Sequence, residues 1–252
     1  MMDQETVDKL QGMRLRTMAQ VFRELVDKPE DSLSFAEKVG MMVDREWVER
    51  DNRRTGRRVK EAKFPVSGAI EEVAADAARG LDKAVLRSLA TCGWVRSKQN
   101  VIVLGATGVG KSFLACALAN TACRHGLRAL YARVPRLVHQ LSVARADGSY
   151  ANELARISRF DVLVLDDFLI APMKDTERRD LLEVLEDRYD HSSTIITSQV
   201  PTKTWHEMLA DPTIADAICD RLVHNAHVLT LKGQSMRRKK GLASTDTDST
   251  DS

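Results

Sequence analysis

The apolar positions of this chain keep two different rhythms. From Phe35 onward the residues Phe35, Val39, Met42, Val43 and Trp47 recur at steps of three and four, so they share one face of a helix. Residues 1–63 as a whole read as helical. From residue 99 the pattern changes to short unbroken apolar runs separated by helix-period segments. Strands are expected at 101–104, 128–134, 161–165, 194–197 and 227–231, and helices at 111–124, from Pro135, at 176–189 and at 212–223. Gly126 stands where glycine closes a helix, and Pro135 where proline opens one. Apolar strands alternating with helices predict a parallel sheet covered on both faces.

Between these regions, residues 64–98 read as a connector. Phe64-Pro65 breaks the preceding helix, Ser67-Gly68 marks a turn, and 81–89 has the pattern of a short helix. No internal repeat is visible. The expected plan is a helical domain at 1–63, the connector at 64–98 and an α/β domain at 99–240. The small, polar and acidic stretch 241–252 cannot bury apolar surface and is expected to be disordered.

Composition narrows the class. With 43% apolar and 29% charged residues, the 252-residue chain is globular in type, which excludes collagenous and disordered classes. No apolar run approaches the about 20 residues of a membrane span. The opening MMDQETVDKL has no apolar export core. The four cysteines (Cys92, Cys116, Cys123, Cys219) form no CxxC pair, and the six histidines form no ligand cluster. A protein of the reducing cytoplasm with no membrane partner is expected.

The net charge of +2 hides segregation. Residues 50–63 hold Arg50, Arg53, Arg54, Arg57, Arg58, Lys60 and Lys63 against only Asp51 and Glu61. Continuing the helical count from the apolar stripe, Arg50, Arg54, Arg57 and Arg58 fall close to the same face. Two readings fit: a solvated helix end, or a contact in which Arg50, Arg53, Arg54, Arg57, Arg58 and Lys60 neutralise phosphates of a nucleic-acid backbone.

The strongest chemical signal is Gly105-Ala106-Thr107-Gly108-Val109-Gly110-Lys111-Ser112, which matches G-x-x-x-x-G-K-[ST] between an expected strand and an expected helix. Glycines let the backbone wrap an anion, and the helix that begins with Lys111, Ser112 and Phe113 offers N–H groups and a positive dipole end. Lys111 is the candidate for the outer phosphates and Ser112 for a Mg²⁺ ligand. Asp166 and Asp167 follow the third strand run, at the strand end where parallel sheets bind ligands. Asp166 suits a second Mg²⁺ ligand; Asp167 suits orientation or deprotonation of an attacking water. The fourth strand ends at Thr197-Ser198-Gln199, where a polar side chain is a candidate to sense a terminal phosphate. Arg221, late in a helix, is either an arginine finger reaching a neighbouring subunit's nucleotide or a surface arginine bonded to Asp216 or Asp220. Arg237 and Arg238 are candidates for phosphate, DNA or solvent contact.

Together these residues carry a family resemblance. The chain resembles the IstB-type ATP-binding helpers of insertion sequences, within the DnaC-like branch of AAA+ ATPases. The resemblance spans roughly residues 10–240. It rests on Leu33-Ser-Phe-Ala-Glu-Lys38, Val43-Asp-Arg-Glu-Trp47, Asn52-Arg-Arg54, the phosphate loop, Leu165-Asp-Asp-Phe168, Glu177-Arg-Arg-Asp-Leu-Leu182, Glu186-Asp-Arg-Tyr189, Thr197-Ser-Gln199, Ala217-Ile-Cys-Asp-Arg-Leu-Val-His-Asn-Ala226 and Lys232-Gly-Gln-Ser-Met-Arg237. It implies a AAA+ P-loop core, a five-stranded parallel sheet flanked by helices, with an N-terminal all-α DNA-binding domain and little or no C-terminal lid. It implies ATP and Mg²⁺ as cofactors, self-assembly on double-stranded DNA with little sequence preference, and stimulation of a cognate transposase. By position, Lys111 and Ser112 are Walker A, Asp166 and Asp167 Walker B, Ser198 or Gln199 sensor I, and Arg221 the arginine finger. Two positions depart from the pattern: Leu169 stands where glycine is common, and Asp167 where many AAA+ ATPases carry glutamate. The shorter carboxylate fits slow hydrolysis stimulated by assembly or partners. Two other functions suit the same residues: a DnaC-like replicative helicase loader, and a nucleotide-gated DNA scaffold with negligible turnover.

Overall fold

The computed structural model describes residues 2–28 and 32–236. The chain packs as two compact units, Met1–Arg57 and Arg58–Ser252. The first holds α1 (Met2–Gly12), α2 (Arg16–Asp27) and most of α3 (Phe35–Ala62). Ser34 starts α3 with a capping box: the Glu37 Oε2 accepts from the Ser34 N–H at 2.7 Å, and the Ser34 Oγ accepts from the Glu37 N–H at 3.3 Å.

Within this unit, α3 meets α2 through polar side chains. Glu46 is buried and accepts from the Thr17 and Met18 N–H groups at 2.8 and 3.0 Å, filling the unpaired donors at the start of α2. Arg50 closes on Glu46 at 2.6 Å and on the Arg14 carbonyl at 2.9 Å, and Arg53 reaches the Thr17 hydroxyl at 3.2 Å. The apolar stripe is left outside: Phe35 is 83% and Trp47 70% exposed, with Val43 also exposed. Periodicity identified the stripe as one face. The cover over α3 is nevertheless chosen by the helix start of α2, which needs an acceptor.

The second unit is built on a parallel sheet of β1 (Asn100–Leu104), β2 (Ala129–Arg133), β3 (Val162–Phe168), β4 (Ser193–Ser198) and β5 (Ala226–Thr230), in the order β2-β3-β4-β1-β5. Successive strand residues alternate between two cores. Ile102, Leu163, Leu165 and Ile196 pack beneath α7 (Val134–Asp147), α8 (Tyr150–Ser158), α9 (Asp175–Glu186), α10 (Trp205–Leu209) and α11 (Pro212–Val223). Val101, Val103, Val164 and Ile195 face α4 (Lys83–Ala90), α5 (Gly93–Arg96) and α6 (Lys111–Arg124). The sheet is thus covered on both faces, as its apolar strands require.

Four details differ from expectation. α8 has no counterpart in the sequence reading, and α9 stops at Glu186, short of 189. β3 runs on through Asp166 and Asp167 to Phe168, because a register shift between Leu165 and Phe168 restores pairing with Ser198. The stretch read as a connector joins the core through Leu81, Leu86, Leu89, Trp94 and Val95. Gly80 fixes its path: φ is +77°, and a Cβ there would stand 2.1 Å from the Thr230 carbonyl oxygen.

Among the described residues no helix is long and apolar enough to cross a membrane. Arg237, Arg238 and the expected disordered tail at 241–252 lie outside the described residues.

Candidate functional site

Parallel pairing brings the carboxyl ends of β1, β3 and β4 to one edge of the sheet. The loop 105–110 leaves β1 there and turns into α6. Gly105, Gly108 and Gly110 all have positive φ, and Gly110 is the residue immediately before α6. A Cβ on Gly105 would lie 2.5 Å from the Leu231 carbonyl oxygen, and one on Gly108 would lie 2.3 Å from the Ser235 hydroxyl. The loop can be made only of residues without side chains at these points. Its far end presents the first turn of α6, Lys111, Ser112 and Phe113, whose N–H groups lead an anion-attracting helix start. Lys111 is buried, and its ammonium donates to the Ala106 carbonyl within the loop at 3.0 Å.

Asp166 faces this turn from β3. Its buried carboxylate accepts from the Ser112 hydroxyl at 2.8 Å, from the Tyr131 hydroxyl at 2.6 Å and from the Thr197 hydroxyl. Burial and the Asp166 hydrogen bond push the Tyr131 phenol well above its ordinary range, so it remains a donor. The oxygens of Ser112 and Asp166 are hard donors of the kind Mg²⁺ takes when phosphate oxygens and water complete its shell. The pair fits that ion.

Asp167 has φ +60°, and its side chain has a different partner from that of Asp166. Arg133, at the end of β2, holds it through Nε at 2.9 Å and Nη2 at 2.6 Å. That hydrogen bond and the Asp167 charge raise the guanidinium pKa further. Thr197 links the two acids: it donates to Asp166 and accepts from the Asp167 N–H at 3.1 Å.

At the end of β4, Gln199 is exposed and its Oε1 accepts from the Thr107 hydroxyl of the loop at 2.8 Å. Ser198 is turned away and buried, bonding the Phe168 carbonyl at 2.8 Å and the Val200 N–H at 3.1 Å. Of the two candidate side chains only that of Gln199 reaches the phosphate loop, while Ser198 meets it through its carbonyl, which accepts from the Gly105 N–H at 3.2 Å.

Arg221 sits at the opposite end of the strands. It lines a small cavity with Lys98, Asn100, Ser192 and Asn225. Its guanidinium bonds Glu186 at 2.8 Å and the Ala217 carbonyl at 3.0 Å. The expected Asp216 or Asp220 partner is not used, because the end of α9 places Glu186 beside it; Asp216 pairs with His206.

The basic stripe is not uniform. Arg54, Arg57 and Lys60 are exposed. Arg50 and Arg53 are engaged with α2 and its approach. Arg58 is half-buried beside Gly126 at the end of α6.

Three residues that complete the site were not read from the sequence, Tyr131, Arg133 and Arg79, and Thr197 was read only as part of the polar end of the fourth strand, with no tie to the acids. Strand order brings in Tyr131, Arg133 and Thr197, since β2 and β4 flank β3 and β2 pairs Arg133 with Asp166. A polar residue ending a strand beside the acidic strand was the signal available.

The family model described as "IstB-like ATP binding protein" matches residues 8–244. An insertion sequence ATP-binding protein of Sinorhizobium fredii, y4pL, is 45% identical over 95% of this chain and 98% of its own length. The ATP-binding protein of insertion sequence IS1162 from Pseudomonas fluorescens is 43% identical over 81% of this chain and 89% of its own. Among solved structures, the DnaC helicase loader superposes with a TM-score of 0.52 at 19% identity, over 66% of this chain and 97% of that one. AMPPCP-bound DnaA from Aquifex aeolicus does so with a TM-score of 0.57 at 15% identity, over 73% and 57%. These two share the fold, a AAA+ P-loop core. With the family model matching residues 8–244 of the 252 and relatives above 40% identity, the chain belongs to the IstB-like ATP binding proteins.

Proposed function

We propose that this chain is a DNA-binding ATPase that helps transposition: it assembles with copies of itself on duplex target DNA in its ATP state and stimulates a partner transposase. The observation that carries this reading is the meeting of Ser112, at the start of α6, with the buried Asp166 at the end of β3, 2.8 Å apart beneath a glycine loop. The names of the relatives, insertion sequence ATP-binding proteins, supply the setting.

The roles follow from position. Backbone N–H groups of the loop, with those of Lys111, Ser112 and Phe113, bind the phosphates. Lys111 exchanges the Ala106 carbonyl for the outer phosphates. Ser112 and Asp166 hold Mg²⁺, which neutralises phosphate charge. Asp167 orients the attacking water and takes its proton, and Gln199 reads the terminal phosphate from beside Thr107. Attack on a γ-phosphate needs little beyond such placement and neutralisation. Arg221 leaves Glu186 to complete a neighbour's site, which makes nucleotide a link between subunits. Arg54, Arg57 and Lys60 carry the contact to DNA phosphates.

The test measures ATP binding and ATP-dependent assembly on duplex DNA by the parent and by Lys111→Ala. The parent is expected to do both and the variant to lose both. Full assembly by Lys111→Ala refutes the role of the loop.

A second reading, a nucleotide-gated DNA scaffold with negligible turnover, is favoured by the Arg133–Asp167 pair, which occupies the only carboxylate offered as base. Steady-state phosphate release, with and without DNA, separates the two.

A further inference from the structure

The phosphate loop is held from outside at two adjacent carbonyls. Arg79 belongs to the stretch between α3 and α4, where Asp76 caps a short turn by accepting from the Ala78 N–H at 2.9 Å. Its guanidinium donates to the Val109 carbonyl at 2.8 Å and lies 3.9 Å from where a Cβ on Gly110 would stand. Its own carbonyl accepts from the Lys232 N–H at 2.8 Å, which ties the segment after β5 to the same point. That segment returns to the loop, where the Met236 N–H donates to the Gly108 carbonyl at 2.8 Å.

In a planar trans peptide the C=O and N–H point in opposite directions. A donor that grips a carbonyl from outside therefore aims the following N–H inward. The Gly108–Val109 peptide shows this directly: Met236 holds its carbonyl, and its N–H points into the loop at the Ala106 oxygen, 3.5 Å away. Arg79 does the same for the next peptide, Val109–Gly110, whose N–H leads the row at the start of α6. Gly110 has φ +103° and no side chain, so nothing in its own conformation opposes rotation of that peptide. The external hydrogen bond supplies the constraint.

We propose that Arg79 is a positioning residue for the nucleotide: through the Val109 carbonyl it presets the Gly110 N–H toward the phosphates, without touching them. This rests on the reading that the loop binds ATP. Preorganised donors aid binding because the cost of ordering them is met on folding. A neutral donor at this point would orient the peptide less firmly than the charged guanidinium.

The experiment is a titration of the full chain with Mg·ATP, for the parent, Arg79→Ala, Arg79→Lys and Lys111→Ala, with melting temperatures taken with and without nucleotide. Arg79→Ala is expected to raise Kd about tenfold, in line with loss of one charge-assisted hydrogen bond. It should keep the nucleotide-free melting temperature and lose most of the ATP-induced rise. Arg79→Lys, which keeps the charge, should recover most of the affinity. If turnover is measurable, KM rises and kcat stays, as for an interaction equal in ground and transition states. ATP affinity equal to the parent's in Arg79→Ala, while Lys111→Ala loses binding, overturns the role of Arg79 alone. A nucleotide-free melting temperature that falls in Arg79→Ala, with Arg79→Lys no better in affinity, also overturns it and makes Arg79 a structural staple. Failure of the parent itself to bind ATP overturns the reading of the loop and this inference with it.

Discussion

Arg133 and Asp167 share one oxygen: Nε and Nη2 of the guanidinium both bond Oδ2 of the carboxylate, at 2.9 and 2.6 Å. While that oxygen is held by the guanidinium it is not offered to an attacking water. The Arg133 side chain is 57% exposed, so the pair is of the weak surface kind, worth about 0.2–1 kcal/mol. Removing it with Arg133→Ala is expected to raise the basal rate of phosphate release by up to about fivefold. An unchanged or lower rate would show that Arg133 aids turnover.

Asp166 has a different environment and a different expected response. Three hydroxyl donors converge on it, so Asp166→Asn turns an acceptor-only group into one that carries its own donors. A buried mismatch of this type costs about 1–3 kcal/mol. The nucleotide-free protein should melt several degrees lower. ATP titrated without Mg²⁺ should bind much as to the parent, and the gain from adding Mg²⁺ should vanish. Calorimetric titration with and without Mg²⁺ checks this.

The strands, their parallel pairing and the phosphate loop were legible because each depends on local pattern: apolar runs of four or five, and a glycine motif between strand and helix. The glycine loop lies between strand and helix as that pattern has it, while Asp166 and Asp167, read as following the third strand, lie within β3 near its end. Tyr131 and Arg133 were not legible, nor was the tie of Thr197 to both acids, because these reach the acids through the order β2-β3-β4-β1-β5, which no local pattern states. Arg79 was not legible either, since it meets Val109 across 30 positions of sequence from a stretch with no strand pattern of its own. On α3 the periodicity of Phe35, Val39, Val43 and Trp47 was real, yet Glu46 decides which side meets α2.

Glu46 gives the first unit an acid-sensitive joint. Burial works against its charge, and the bonds from Arg50, Met18 and Thr17 outweigh this, holding its pKa below the ordinary 4.5. A carboxyl with a lowered folded pKa adds stability above its unfolded value and loses it as pH falls through the folded one. Melting of this unit, followed by circular dichroism, should therefore weaken as pH is taken from 7 to below 4. Glu46→Gln should be less stable at neutral pH and flatter with pH.

The basic stripe divides into two kinds of arginine. Arg54→Ala with Arg57→Ala should weaken duplex binding and reduce the slope of log K against log salt by about 2, if each meets one phosphate. Arg50→Ala should instead lower the melting temperature, since its guanidinium joins Glu46 to the Arg14 carbonyl. Filter binding at several salt concentrations, set beside melting curves, distinguishes the two.

The outward-facing stripe of α3 has a practical consequence. Of the three tryptophans, Trp94 and Trp205 are buried and Trp47 is 70% exposed. Emission at long wavelength, and quenching by iodide, therefore arise from a single indole on the helix that carries Arg54 and Arg57. Whatever settles on that helix should shift and shield this signal, giving the unlabelled protein its own optical gauge of partner or DNA arrival.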